Sequence, residues 1–462
     1  MNSLYAMHHP QPDPKGAASA KAFLDQHSGI TSIDAVFADL SGTIRGKRMP
    51  AADLPDLYLS GLNIPETIYL LDVRGEMTDA LGRGFTDGDP DGVAFPVPGT
   101  LVPVGKPPFT RAQVLMSLSK LTGEPCDIEP RAVLARVASR MAELKLNPIT
   151  AVELEFYLID PKRVGHGAPQ PPICPTTNER EKAISVYGIW DLDRYQAFLA
   201  DVADEAARWR VPATAATSEY APGQFEINLE HVDDPVTACD HAIYLKQIIR
   251  NVARAHGFEA SFMAKPYADR AGSGMHVHMS VAGPDGKNAF AAADPAGAPI
   301  LRHAVGGLQR IMHEAMAVFA PTPNAYRRFV PNLFVPVNRH WGINNRSTGL
   351  RVPAGGPNSR RIEHRVSGAD ANPYLVMAAL LAGLHHGLAS KIDPGKPFEG
   401  NASELPDPSV PFNFPDALAA MEKSSVLRSY WGSYVDVYVA TKRVELERFN
   451  AIIPPHEHDW YL

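Results

Sequence analysis

Residues 272–280 read Gly272-Ser273-Gly274-Met275-His276-Val277-His278-Met279-Ser280. Side chains two apart on a β-strand share a face. His276, His278 and Ser280 therefore point one way, and Met275, Val277 and Met279 the other. The same alternation returns in three further segments. Val152-Glu153-Leu154-Glu155-Phe156-Tyr157 sets Glu153 and Glu155 against Val152, Leu154 and Phe156. The stretch Glu219 to Asn228 sets Glu226 beside Gln224 and Asn228, and Arg361-Ile362-Glu363-His364-Arg365-Val366 sets Glu363 beside Arg361 and Arg365. In a half-exposed sheet the polar face meets water. Here that face carries carboxylates, imidazoles and guanidiniums, with hardly a Lys or Thr. Such a composition predicts a metal and phosphate site at the centre of a curved sheet.

Glu153, Glu155, Glu219, Glu226 and Glu363, together with His276, suit hard divalent ions, Mg²⁺ or Mn²⁺, better than Zn²⁺. Five carboxylates exceed the charge of one such ion, and uncompensated they repel until several protonate. Two ions and nearby arginines resolve the conflict. Two metals with an arginine cluster suit phosphoryl transfer from a nucleotide, because both neutralise charge on phosphate oxygens. The chain has no GxxxxGK[ST] loop and no kinase signature set, so neither of those phosphate-binding solutions applies.

Working outward, 462 residues with 45% hydrophobic and 21% charged side chains describe a soluble globular protein of two to four domains. The net charge of −7 gives no general attraction to nucleic acid. Arginines gather instead between residues 327 and 365, as a small anionic ligand requires. Cys126, Cys174 and Cys239 form neither a disulfide framework nor a zinc knuckle and read as reduced thiols of a cytoplasmic protein. The apolar run Tyr374 to Leu384 is too short for a membrane span, and Asn372-Pro373 before it reads as the entry to a buried helix.

Residues 1–29 lack the charged start and apolar core of a signal peptide and read as a flexible tail. Residues 30–123 read as a compact β-rich unit, with strands at Ile33–Leu40 and Gln113–Leu118. From 124 to 462 helices and polar-faced strands interleave: helices at 131–144, 192–209, 234–256 and 299–319 alternate with the strands quoted above. The expected class is α+β, with an antiparallel curved sheet backed by helices.

Taken together, Glu153-Leu-Glu155, the Glu219-x6-Glu226 spacing in SEYAPGQFEIN, GSGMHVHMS (272–280), NNRSTGLRVP (344–353) and RRIEHR (360–365) resemble type I glutamine synthetases over roughly residues 30 to 462. The resemblance implies an N-terminal β-grasp domain, a catalytic domain, and a dodecamer of two stacked six-subunit rings. Active sites would lie between neighbours, with Arg45–Lys47 close to the next subunit's site. It implies Glu155, Glu219 and Glu226 as ligands of one metal, and Glu153, His276 and Glu363 as ligands of a second on the ATP phosphates. Arg351 and Arg361 resemble ATP-phosphate arginines, and Arg346 and Arg365 those that steady the transferring phosphoryl group. His278 and Ser280 fall near base and ribose, Arg328 at the substrate carboxylate, and Gly272 in the glutamate-binding loop. The implied reaction phosphorylates the γ-carboxylate of L-glutamate with ATP, then lets a nitrogen nucleophile displace phosphate, with a carboxylate taking the amine proton.

The ammonium-handling residues depart from this pattern. Phe334 stands at the flap Glu position, Thr43 approximately at the ammonium-site Asp, Ala271 at the glutamate-loop Asn and Ser403 near the adenylylated Tyr. Replacing acidic groups with Phe334 and Thr43 removes cation binding and adds apolar contact. A primary amine with a carbon chain fits better than ammonium. Together with the Asn338–Gly342 stretch, this resembles the γ-glutamylpolyamine branch, with putrescine as the leading amine. Ammonia, ethanolamine and monoamines are the alternatives.

Overall fold

A computed structural model describes residues 8–165, 167–331 and 334–462. Two sheets organise the chain. The first contains β1 (Ser32–Ala38), β2 (Ile44–Pro50), β3 (Leu62–Pro65), β4 (Asp91–Pro96), β5 (Val102–Pro103) and β6 (Arg111–Ser119). Its order is β2-β1-β6-β4-β3, with β5 on the edge of β6. The β1–β6 pair is parallel and the others antiparallel, a mixed sheet of β-grasp type. The reverse turn between β1 and β2 is built on Asp39. Its Oδ1 accepts from the backbone of Ser41 at 2.9 Å and Thr43 at 2.8 Å.

The second sheet contains β7 (Asn147–Ile159), β8 (Ala213–Ser218), β9 (Gln224–Leu229), β10 (Glu259–Ser261), β11 (Met275–Ala282), β12 (Trp341–Ile343), β13 (Leu350–Val352) and β14 (Ile362–His364). The order is β12-β13-β14-β11-β7-β9-β8, with β10 also on β7. The pairing is antiparallel as expected, except that β12 and β13 run parallel. Val152, Leu154 and Phe156 on β7 are all buried against the helices behind the sheet. Burying each such side chain contributes about 2 kcal/mol before conformational entropy is counted.

Four helices back this sheet: Pro130–Ser139, Pro235–Ala255, Pro299–Glu314 and Pro373–Ser390. Two begin as the sequence predicts. Asp234 accepts from Val236 N at 3.1 Å, Asn372 accepts from Tyr374 N at 2.9 Å, and a proline follows each cap. Asn372 also reaches into the first domain. Its Nδ2 donates to the carbonyls of Asp39 at 2.9 Å and Leu40 at 3.2 Å. No described helix is long and apolar enough to cross a membrane.

Three expectations need correction. Residues 14–26 of the expected flexible tail form a helix, Pro14–Gln26. Asp13 caps it, Pro14 starts it, and Ala17 and Ala20 bury against the core. The Asp13 amide also donates to Tyr58 O at 2.8 Å, which ties this helix to the helix Leu54–Ser60. Residues 1–7 lie outside the described residues. Second, the stretch Glu219 to Asn228 is not one strand: β8 stops at Ser218 and β9 starts at Gln224. Ala221-Pro222-Gly223 turns the chain, with Gly223 at φ 76° and the Gln224 amide donating to Ala221 O at 2.9 Å. Third, the helices expected at 192–209 and 299–319 are each broken, at Tyr195 and Ala315.

Candidate active site

Strand register assembles the site. His276 on β11 lies opposite Glu153 on β7, and Glu155 on β7 lies opposite Glu226 on β9. His278 lies opposite Glu363 on β14, and Glu363 opposite Arg351 on β13. Four neighbouring strands thus present ligand-type side chains to one face, and β13 adds Arg351. Two groups have donor atoms within 4.8 Å of one another: Glu153, His276 and Glu363, and Glu155, Glu226 and His276. The imidazole of His276 is the hinge between them. Its Nδ1 lies 3.3 Å from Glu153 and 4.0 Å from Glu226, and its Nε2 lies 4.0 Å from Glu155.

Hydrogen bonds hold these groups in place. Arg361 Nε donates to His278 Nδ1 at 3.1 Å, so Nε2 of His278 carries the proton it gives to Glu153, 2.8 Å away. The Gly274 amide donates to Glu155 at 2.7 Å. Arg351 donates to Glu363 at 2.7 Å and to Asn344 at 2.8 Å, and the buried Arg365 pairs with the other oxygen of Glu363. Gly272 and Gly274 give Arg328 room. A Cβ at Gly272 would sit 2.6 Å from Arg328 Cγ, and one at Gly274 would sit 3.1 Å from Arg328 Nη2. Arg328 is itself fixed by donating to Val366 O at 3.1 Å.

The charges fall into two unequal halves. Burial works against the ionised form of Glu363, but Arg365 foremost, then His276, His278 and Arg351, hold it at about 2. Burial likewise opposes ionised Glu153, and hydrogen bonds from His276 and His278 keep it low. On the other side, burial and then the charges of Glu153, Glu155 and Glu219 push Glu226 up to about 9. Glu219 is pushed up to about 7 by burial and then Glu155, with Arg346 opposing. Among the described residues Glu155, Glu219 and Glu226 form no ion pair with a guanidinium, and the charges of Arg346 and Arg365 only partly offset their crowding. That deficit, with oxygen donors and one imidazole within 4.8 Å, fits divalent cations.

Glu219 stands beside this set rather than in it, because it rides the turn after β8. Arg346 and Arg351 line an adjoining cavity of about 750 Å³ together with Asn344, Asn345 and Phe398. Ser280 continues the His276 and His278 face of β11. Phe334 is 71% exposed, and the two residues before it lie outside the described residues. Thr43 lies in a separate cavity whose walls hold none of the six ligand-type residues. Sequence reasoning missed His231, whose ring packs edge-on against His278 with centroids 6.0 Å apart. It also missed Asn344, which orients Arg351.

A sheet that converges carboxylates, imidazoles and arginines on one face suits divalent cations and phosphoryl transfer. The family profile "Glutamine synthetase, catalytic domain" matches residues 127–461, and the chain belongs to the glutamine synthetase family. It is 39% identical to the γ-glutamylputrescine synthetase of Escherichia coli, over 96% of this chain and 94% of that protein. It is 31% identical to a glutamate–isopropylamine ligase of a Pseudomonas species, over 97% and 98% of the two chains. Among solved structures, the GmaS/ADP complex superposes with a TM-score of 0.83 at 26% identity, covering 97% of this chain and 99% of that one.

Proposed function

We propose that this chain is an ATP-dependent ligase that joins the γ-carboxylate of L-glutamate to a primary amine, with putrescine or another polyamine as the amine. The observation that carries the reading is the near full-length similarity to a γ-glutamylputrescine synthetase. The convergent site on β7, β9, β11 and β14 supports it. In the first step a γ-carboxylate oxygen of glutamate attacks the γ-phosphorus of ATP and ADP leaves. In the second the amine nitrogen attacks the acyl carbon, and phosphate departs with the C–O bonding electrons.

The reading assigns each site residue a role. Arg328, packed against Gly272, binds the α-carboxylate of glutamate. Arg351 and Arg361 face the ATP phosphates, while Arg346 and Arg365 offset the charge of the transferring group. His278 and Ser280 lie toward base and ribose. Glu153, His276 and Glu363 would hold one Mg²⁺ or Mn²⁺, and Glu155 and Glu226, with Glu219 beside them, would hold another. Such cations supply positive charge against phosphate oxygens. Glu219, at the edge of the cluster, takes the proton released by the attacking amine. Phe334, exposed on the flap, offers carbon-chain contact where an acidic residue would attract ammonium.

The same reading divides the chain into a β-grasp domain at 30–123 and a catalytic domain at 124–462, assembled as a dodecamer of two hexameric rings. It also sets the reaction in the cytoplasm, where free buried thiols such as Cys126, Cys174 and Cys239 persist. The test is phosphate release from ATP with glutamate and Mg²⁺, comparing ammonium, putrescine, spermidine, ethanolamine and methylamine. A γ-glutamyl adduct formed only with an organic amine supports the reading. Turnover with ammonium alone would replace it with glutamine synthesis.

A further inference from the structure

The face of β7 and β9 that carries Glu155 and Glu226 does not end with them. Tyr157 follows Glu155 by two residues and Gln224 precedes Glu226 by two, so both continue that face. Register sets Tyr157 opposite Gln224, just as it sets Glu155 opposite Glu226. Both side chains are buried, and neither has a part in the chemistry described above.

Both reach the loop that joins β10 to β11. Tyr157 OH donates to Ala271 O at 2.6 Å, and Gln224 Nε2 donates to Gly272 O at 3.0 Å. Lys265 Nζ donates to Arg270 O from within the same loop. Three consecutive carbonyls are thus each held by one side chain. Burial, and then the charge of Glu155, raise the Tyr157 hydroxyl above its ordinary range, so it stays protonated and remains a donor. The start of the loop is tied as well. Asn324 Oδ1 accepts from Lys265 N and its Nδ2 donates to Lys265 O, both at 2.9 Å. Asn324 immediately precedes the short helical turn Ala325–Arg328. Between these ties Gly272 is wedged: a Cβ there would lie 2.6 Å from Arg328 Cγ and 2.7 Å from Ala264 O. Any shift of the 270–272 backbone therefore alters the space around Arg328.

We propose that Tyr157 and Gln224 are positioning residues for glutamate. They fix the 270–272 backbone against Arg328 from the same two strands that present Glu155 and Glu226. One strand pair then sets the spacing between the carboxylate cluster and the group that holds the other end of the substrate. This inference rests on the proposed role of Arg328. Gln224 has a further tie, because its Oε1 accepts from Ala221 N at 3.2 Å and so steadies the turn that carries Glu219. The two residues therefore differ in what their loss does.

The test begins with Tyr157→Phe, which removes one oxygen and keeps the ring packed against Tyr267, with centroids 5.3 Å apart. In the full-length protein, hydrogen–deuterium exchange should quicken in the peptide covering 263–274. The KM for glutamate should rise about tenfold, with kcat and the KM for ATP within about twofold of the parent. Gln224→Met should quicken the same peptide and raise the same KM, and should also lower kcat through the Glu219 turn. If Tyr157→Phe misassembles, Gln224→Met decides the point by loop exchange and glutamate KM. Unchanged exchange at 263–274, or faster exchange without a rise in glutamate KM, would overturn the proposal. Equal losses in kcat and in both KM values for Tyr157→Phe would reduce the hydroxyl to a structural role and overturn it too. Arg328→Met separates the proposal from the reading beneath it. An unchanged glutamate KM in that variant removes the role of Arg328, whereas a raised one beside an unchanged value in Tyr157→Phe overturns the positioning alone.

Discussion

Consider Glu226→Gln in protein stripped of metal by a chelator. Burial and three neighbouring carboxylates hold Glu226 at about 9, against an ordinary value of 4.5. A carboxylate whose pKa is higher folded than unfolded takes up a proton on folding. Its stability cost is absent below the unfolded value and grows as pH rises toward the folded one. At pH 7 the gap between 7 and 4.5 corresponds to about 3 kcal/mol at 1.36 kcal/mol per pH unit. Glutamine mimics the protonated form and removes that cost. The assay is urea unfolding at fixed protein concentration, at pH 5, 7 and 8, with and without Mg²⁺. The variant should gain little at pH 5, about 3 kcal/mol at pH 7 and about 5 kcal/mol at pH 8 relative to the parent. Mg²⁺ should stabilise the parent strongly and the variant weakly, because the ion is held by the ionised carboxylate. Parallel pH curves for parent and variant, or equal stabilisation by Mg²⁺, would refute the placement of Glu226 in a charge-starved cation site.

Other outcomes follow from the same geometry. Arg365→Met strips Glu363 of the guanidinium that most opposes its burial penalty, and should cost about 3 kcal/mol of stability in thermal or urea unfolding as well as activity. Glu219→Ala should lower kcat by about a hundredfold or more while gel filtration shows an unchanged assembly; substantial turnover would remove Glu219 from the site. Phe334→Glu should raise the ratio of kcat/KM for ammonium over putrescine about tenfold, measured by competition between the two nucleophiles, and an unchanged ratio would show that Phe334 does not set the choice.

Much of the site was legible because it is written in a two-residue period. Glu153 and Glu155, or His276 and His278, can share a face only on a strand, and each pair alternates with residues that are buried. The prolines after Asp234 and Asn372 marked two helix starts for the same local reason. Glu219 was harder to place, because Pro222 and Gly223 interrupt the strand and the sequence spacing to Glu226 is then not a spacing along one face. The parallel β12–β13 pair was invisible: three-residue strands carry no period, and their direction is set by the loop between them. His231 meets His278 only through the tertiary path of the chain, so no local pattern signals it. The helix Pro14–Gln26 did carry a signal, Asp13 followed by Pro14 and an alanine-rich run, but an exposed and polar composition concealed it.

Asn372 does two jobs with one side chain. Its oxygen closes the first turn of the helix Pro373–Ser390, and its nitrogen grips the carbonyls at the β1–β2 turn. The same amide plane cannot rotate to favour one partner without straining the other. A displacement of the Asp39 turn is therefore geared directly into the helix that follows the Glu363 strand. The two domains behave less like beads on a string than like two wheels on a common axle.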